Sequence, residues 1–189
     1  MSDLATIADR FVKDADVRAT YARDESLGVD PPERFEVVRA RDLSDVVEVL
    51  TYAAATGTPV VPQGARSGLA GGAVAIQDGI VLSLEGLSAV VEVDPLEAVA
   101  VVEPGVVTAD LKAAAEAAGL FYPPDPASSA FCTIGGNIAT NAGGLCCVKY
   151  GVTADYVRSL EVVLAGGEVI TTGHRTAKGV AGAHDLAPG

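Results

Sequence analysis

Short apolar runs separated by polar breaks set the pattern of this chain, and no run is long enough to cross a membrane. Phe35-Glu36-Val37-Val38-Arg39 reads as a strand, closed by the polar pair Arg41-Asp42. Val46, Val47, Leu50 and Ala54 then recur at helical spacing. They predict an amphipathic helix through Tyr52 to about Thr56, with Ser44 as its cap and Gly57 at its C-terminal end. Pro59-Val60-Val61 and Ile80-Val81-Leu82-Ser83 are short buried strands. The order strand, helix, strand, loop, strand predicts a small lobe containing a parallel pair.

The pattern then changes. Residues 87–93 and 98–102 read as strands joined by the turn Asp94-Pro95-Leu96. Thr108 is placed to cap a helix over 109–118, which Gly119 stops. Residues 157–164 and 168–172 alternate like paired strands, with Ala165-Gly166-Gly167 as their hairpin turn. The stretch before Phe35 reads as a helix and a polar connection closed by Pro31-Pro32. The expected fold is α+β in two lobes: a helical extension over 1–34, a first lobe over 35–84 and a second over 85–189.

Composition narrows the function. With 189 residues, 49% of them apolar, the chain can bury a substantial core as one domain or two lobes sharing a ligand. A formal charge of −12 argues against nucleic acid, because phosphate backbones need a basic surface. The start, Met1-Ser2-Asp3-Leu4-Ala5, lacks the basic-then-apolar order of a secretory signal, so a cytoplasmic protein is expected. Cys132, Cys146 and Cys147 lack metal-ligand spacing, so no metal site is expected. The adjacent pair Cys146-Cys147 reads as two reduced, packed thiols rather than a strained vicinal disulfide.

Candidate chemistry lies in two glycine-rich segments, Pro62-Gln63-Gly64-Ala65-Arg66-Ser67-Gly68-Leu69-Ala70-Gly71-Gly72 and Cys132-Thr133-Ile134-Gly135-Gly136-Asn137-Ile138-Ala139-Thr140-Asn141-Ala142-Gly143-Gly144. Glycine lets backbone N–H groups approach a phosphate or a flat ring, and two such loops suggest one long ligand, a nucleotide cofactor. Neither segment contains the Gly-x-Gly-x-x-Gly dinucleotide fingerprint or the phosphate loop ending in Gly-Lys-Ser/Thr.

The first segment resembles the pyrophosphate loop of the FAD-linked oxidases that share the vanillyl-alcohol oxidase and p-cresol methylhydroxylase flavin domain. Tyr122-Pro123-Pro124-Asp125-Pro126, Thr133-Ile134-Gly135-Gly136-Asn137 and Asn141-Ala142-Gly143-Gly144 are similar to that family's second flavin stretch, in the same order. Lys149-Tyr150-Gly151-Val152-Thr153 and Leu160-Glu161-Val162-Val163-Leu164 continue the likeness. Within the family the likeness is to the glycolate oxidase flavin subunit and the D-lactate dehydrogenases, over about residues 21–182.

The resemblance implies noncovalent FAD, since no histidine stands beside the first loop; His174 and His184 are late and in polar surroundings. It implies cofactor contacts from Pro62, Gly64, Ala65, Arg66, Ser67, Gly68 and Leu69 around the diphosphate. Pro124, Asp125, Thr133, Gly135, Gly136, Asn137, Asn141, Gly143, Gly144 and Tyr150 would follow the ribityl chain and ring. Arg66 would either offset phosphate charge or be a solvated surface arginine. Asp125 is a fixed acceptor or an ordinary turn aspartate. Tyr150 stacks near the cofactor or belongs to a core.

In the family the flavin domain continues past the region matching 176–182, and a cap domain carries the substrate groups. Here Ala183-His184-Asp185-Leu186 departs from the pattern, so the second lobe is expected to be incomplete, with an exposed sheet edge, and the cap absent. No residue is assigned to catalysis. Three readings follow: the FAD-binding portion of a flavin-dependent 2-hydroxy-acid dehydrogenase of glycolate or D-lactate type, an FAD-holding module needing a separate cap subunit, or an inactive remnant. In the first, hydride passes from the substrate α-carbon to flavin N5.

Overall fold

The computed structural model describes residues 4–174. A 3-10 turn (Leu4–Arg10) leads into a short helix α1 (Ala15–Ala19), whose first N–H groups are satisfied by Asp14 Oδ1. Next come β1 (Phe35–Arg39), α2 (Leu43–Thr56), β2 (Val60–Gln63) and β3 (Gly79–Ser83). These strands form a parallel sheet in the order β1-β3-β2, with Val37 opposite Val81 and Val61 opposite the same Val81. The expected parallel pair is thus a three-stranded sheet with β3 at its centre.

All five residues of β3 are buried, as a strand covered on both faces requires. Its side chains alternate. Ile80 and Leu82 join Val38, Val46, Val49 and Leu87 on the α2 face, while Val81 joins Val37, Tyr21, Val12 and Ala75 on the other. Residues before β1 enter both clusters: Ile7 packs on the α2 face, and Val12 and Tyr21 cover the opposite one. This stretch is two short turns of helix rather than one continuous helix, anchored by Ile7 and by Val12 and Tyr21 on either side of α1, which itself buries no residue.

The cap of α2 differs from expectation. Asp42, not Ser44, holds the N-cap position, and its Oδ1 accepts from Asp45 N at 3.0 Å. Ser44 lies inside the first turn and donates its hydroxyl to Asp42 Oδ1 at 2.6 Å. Gly57 closes the helix in the left-handed conformation, φ 71°, as its position predicts.

Past β3, the chain builds β4 (Val90–Asp94) and β5 (Val99–Val102), an antiparallel hairpin bulged between Val90 and Glu92. β4 starts later than predicted, because Leu87 turns inward to the core, and Asp94 ends the strand while its Oδ1 binds the N–H groups of Leu96 and Glu97. Helix α3 (Thr108–Ala117) begins on Val107, which offers no side-chain cap. Thr108 is no cap: it is the first helical residue, fully buried, and donates instead to Cys132 O at 3.2 Å.

Helices α4 (Ile134–Thr140) and α5 (Cys147–Tyr150) follow. Most of the second glycine segment is therefore helix, where the sequence pattern predicts loop. A core of Val106, Leu111 and Ile134, with Val90, Ala100 and Val102 against it, joins α3, α4 and the hairpin. The last pair, β6 (Ser159–Val163) and β7 (Val169–Gly173), is antiparallel as predicted. Its turn rests on α2: a Cβ at Gly167 would overlap Thr51 Oγ1, and Val163 packs against the first cluster. The matching region 176–182 and the predicted departure at 183–186, including His184, lie outside the described residues.

Leu82 is 2% exposed at the middle of the α2-facing cluster. Leu82→Ala should lower unfolding stability by about 2–5 kcal/mol, through lost burial and the cavity left behind. A urea unfolding titration checks this, and a midpoint unchanged from the parent chain would contradict it.

Candidate functional site

β2 ends on Gln63, which is 1% exposed, and the first glycine segment leaves from there. Gln63 Nε2 donates to Tyr21 O at 2.9 Å and to Ala73 O at 2.6 Å, so one side chain ties the root of the loop to its return and to the segment before β1. Its Oε1 is buried without a partner. Asp24 reinforces the closure, accepting from Ser26 N at 3.0 Å and Ala73 N at 3.3 Å, while Glu25 N donates to Gly68 O at 3.0 Å. Burial by itself raises the Asp24 carboxyl, but the N–H groups of Ser26 and Ala73 that it accepts from help outweigh this, and the group is held below the usual aspartate range.

Arg66 sits within the loop at φ 58°, a left-handed conformation that costs a non-glycine residue about 1–2 kcal/mol. Its side chain repays this locally: Nη1 lies 3.4 Å from Glu85 Oε1, and the guanidinium stacks 4.6 Å from the centre of the Tyr21 ring. Only 21% of the side chain is exposed, so Arg66 is neither a solvated surface arginine nor a free cation.

The second segment reaches the same place from the other lobe. Thr133 caps α4, its Oγ1 accepting from Gly136 N at 3.4 Å, and its backbone bridges Val107 at the start of α3. A Cβ on Gly64 would overlap Thr133 Oγ1. The two glycine segments therefore touch, and a side chain at Gly64 would have to displace the Thr133 hydroxyl. Gly135 approaches Pro104, where a Cβ would fall 2.7 Å from the proline Cβ, and its N–H donates to Pro104 O at 2.8 Å.

Downstream, Asp125 N donates to Gly143 O at 2.9 Å, and Gly144, at φ 93°, lies so close to the Asp125 carbonyl that no side chain fits. The Asp125 carboxylate pairs with Lys112 of α3, making it a fixed acceptor with a protein partner. Pro124 beside it is fully buried.

Polar groups of the second stretch are largely engaged within the fold. Asn137 is 3% exposed and donates through Nδ2 to Thr108 Oγ1 at 2.7 Å. Asn141 adopts φ 51° after α4, and its Oδ1 accepts from Ala154 N at 2.9 Å. Tyr150 is 38% exposed, not a core residue, and meets Phe121 edge-on at 5.8 Å. All three cysteines are free thiols, but Cys146 is exposed rather than packed. His174 is exposed and far along the chain from the first loop.

Sequence reasoning missed Tyr21, Asp24, Glu85 and Lys112 as parts of this construction. Gln63 was visible inside the first segment without a role. A polar residue ending a buried strand was the available signal for Gln63.

Over the loop itself there is room. A Cβ at Gly68 would meet only Asp24 Oδ2, at 3.9 Å, and one at Gly72 would meet nothing within 4 Å. Glycines facing open space beside glycines forced by contact fit a backbone kept bare for a ligand. A family model described as FAD binding domain matches residues 36–173. The chain belongs to this family of FAD binding domains.

The relatives of this FAD binding domain agree. It is 46% identical over 150 residues to the glycolate oxidase subunit GlcD of Bacillus subtilis, covering 79% of this chain and 32% of that protein. It is 41% identical over 164 residues to a D-lactate dehydrogenase of Anaerostipes hadrus, covering 86% and 34%. A D-2-hydroxyglutarate dehydrogenase of Stutzerimonas stutzeri is 34% identical over 172 residues, covering 90% and 37%. The chain thus spans about a third of the length of these curated relatives.

Among solved structures, an alkyldihydroxyacetonephosphate synthase superposes with a TM-score of 0.76 at 23% identity, covering 89% of this chain and 32% of that one. 6-Hydroxy-D-nicotine oxidase from Arthrobacter nicotinovorans gives 0.71 at 23%, covering 90% and 38%. At that identity these two show the fold alone. FAD is the cofactor of the family, and the bare loop and the converging segments fit it.

Two outcomes follow from this geometry. Gly64→Ala should force the two segments apart, lowering the melting temperature and abolishing flavin retention, whereas Gly72→Ala should leave the melting temperature within about 2 °C, since an open surface site costs under ~0.5 kcal/mol. For Asp24, a folded-state value below the ordinary one means its contribution is present at neutral pH and is lost as pH falls through that lowered value. The stability margin of the parent chain over Asp24→Asn should therefore be full at pH 7 and shrink below about pH 4 in urea titrations. A margin independent of pH would contradict it.

Proposed function

We propose that this chain holds FAD noncovalently across its two glycine-rich segments, and that in a complete protein it serves the oxidation of a small 2-hydroxy acid. The observation that carries this reading is the contact of Gly64 with Thr133, which brings both segments to one place. The diphosphate lies along 64–69, with Pro62 at the root of the loop. The stretch from Pro124 and Asp125 through Thr133, Gly135, Gly136 and Asn137 to Asn141, Gly143, Gly144 and Tyr150 takes the ribityl chain and ring.

Bound FAD supplies the hydride acceptor, and a protein must still orient the substrate and take its hydroxyl proton. We assign neither task to a described residue. The substrate class rests on relatives whose names give glycolate, D-lactate and D-2-hydroxyglutarate. A cytoplasmic setting is part of the same proposal, supported by three unpaired thiols.

A second reading, an FAD-holding module completed by a separate polypeptide, is favoured by apolar side chains left bare beside the second segment. Phe121, Leu145 and Val148 are 70%, 92% and 98% exposed. Its expected partner carries the substrate groups.

Incubating the purified chain with FAD, removing free ligand and recording the absorption spectrum tests the binding reading. Flavin bands should persist, and acid precipitation should release them, as noncovalent binding requires. Added FAD should also raise the melting temperature, which an inactive remnant would not show. A colourless protein with an unmoved melting temperature would overturn the proposal.

A further inference from the structure

Segments 62–72 and 132–144 contain one basic side chain between them, Arg66. It stands inside a loop whose proposed ligand is a doubly charged diphosphate, on a chain of formal charge −12. Yet its guanidinium faces the protein: Glu85 Oε1 is 3.4 Å away, the Tyr21 ring lies beneath it, and Nη1 also donates to Gly64 O at 3.4 Å. Glu85 lies two residues past the end of β3 and is itself steadied by Ser83, whose Oγ donates to Glu85 Oε2 at 3.3 Å. Tyr21 is held in turn by Arg39, whose Nε donates to the Tyr21 hydroxyl at 2.7 Å.

We infer that Glu85 competes with the cofactor's diphosphate for Arg66, so that this carboxylate sets how tightly the first loop takes its anion. The inference rests on the reading of that loop as the diphosphate site. While Arg66 is paired, its field at the loop is that of a neutralised pair and not of a cation. A diphosphate recruits the full charge only by drawing the guanidinium away from Glu85. The pair is partly exposed, with 21% of the Arg66 and 36% of the Glu85 side chain accessible, so the exchange is within reach of a dianion. Tyr21 stacking keeps the guanidinium at the mouth of the loop in either arrangement. Glu85 is thus a positioning residue, acting on the ligand through Arg66.

The test is a double-mutant cycle read as FAD affinity by flavin fluorescence, with melting temperatures recorded to confirm folding. Glu85→Gln should tighten FAD by about two- to fivefold, the range expected for releasing a partly exposed ion pair. The gain should persist with Arg66→Lys, which keeps the charge, and vanish with Arg66→Gly, which removes the side chain at a position whose backbone suits glycine. A gain of equal size in the Arg66→Gly background would mean that Glu85 merely repels the anion directly, and would overturn the inference. Unchanged or weaker binding by Glu85→Gln, with FAD still held by the parent chain, overturns the inference alone. No binding by the parent chain, with Glu85→Gln now holding FAD, supports it. No flavin on either overturns it together with the reading of the loop.

Discussion

Everything at this site depends on one contact that a methyl group would forbid. Gly64 leaves β2 directly beneath Thr133 Oγ1, and that oxygen already serves as the N-cap of α4. Thr133 is also bridged through its backbone to Val107, where α3 starts. A single threonine therefore begins one helix, ties down a second and bears on the loop that leaves the parallel sheet. Because the hydroxyl is fixed by its cap bond and its own burial, the loop has to yield, and glycine is the residue that can.

The remaining glycines sort by the same physical criterion. Gly135 against Pro104 and Gly144 against the Asp125 carbonyl are sites of close backbone approach, and their absence of a side chain is explained by the fold. Gly68 and Gly72 have no such neighbour. Their bareness has no use to the isolated chain, where alanine would reduce the entropy of the unfolded state at compatible backbone angles. That contrast, which Gly64 against Thr133 repeats within the first loop itself, is the physical argument for a ligand that comes close to backbone N–H groups. It also agrees with the bond pattern around the loop, where Gln63, Asp24 and Glu25 hold the base and return from behind.

Local pattern made much of the architecture legible. β1, the body of α2 and the closing hairpin follow from apolar spacing and turn residues, because each is decided by neighbours within one element. α4 was not legible, since two glycines at its start lower helix propensity by about 1 kcal/mol each. The cap on Thr133 and the seat of Gly135 on Pro104 overcome that, and Pro104 is remote in sequence. Thr108 misled for the opposite reason: its residue type suits a cap, but Asn137 and Cys132 claim its hydroxyl from across the lobe. The flavin motifs were legible as ordered glycine segments. Their supports, Tyr21 and Asp24, act on residues more than 40 positions away, as the Asp24 bond to Ala73 across 49 positions illustrates, and no local periodicity encodes such a pairing.

An acidic chain that binds an anion has to manage its own field. Asp24 lies behind the first loop and is charged, yet its oxygens accept from Ser26 N and Ala73 N, so its charge is spent on shaping the loop. Asp125 beside the second stretch is neutralised by Lys112. The same logic applied to Arg66 gives a different result, because its partner, Glu85, belongs to the neighbouring strand end and not to the loop. Asp24 is bound by backbone donors that cannot leave without unfolding the loop, whereas Arg66 is bound by one side-chain carboxylate that can be exchanged for another anion. Of the charges around this loop, the one with an exchangeable partner is the one positioned to respond to a ligand.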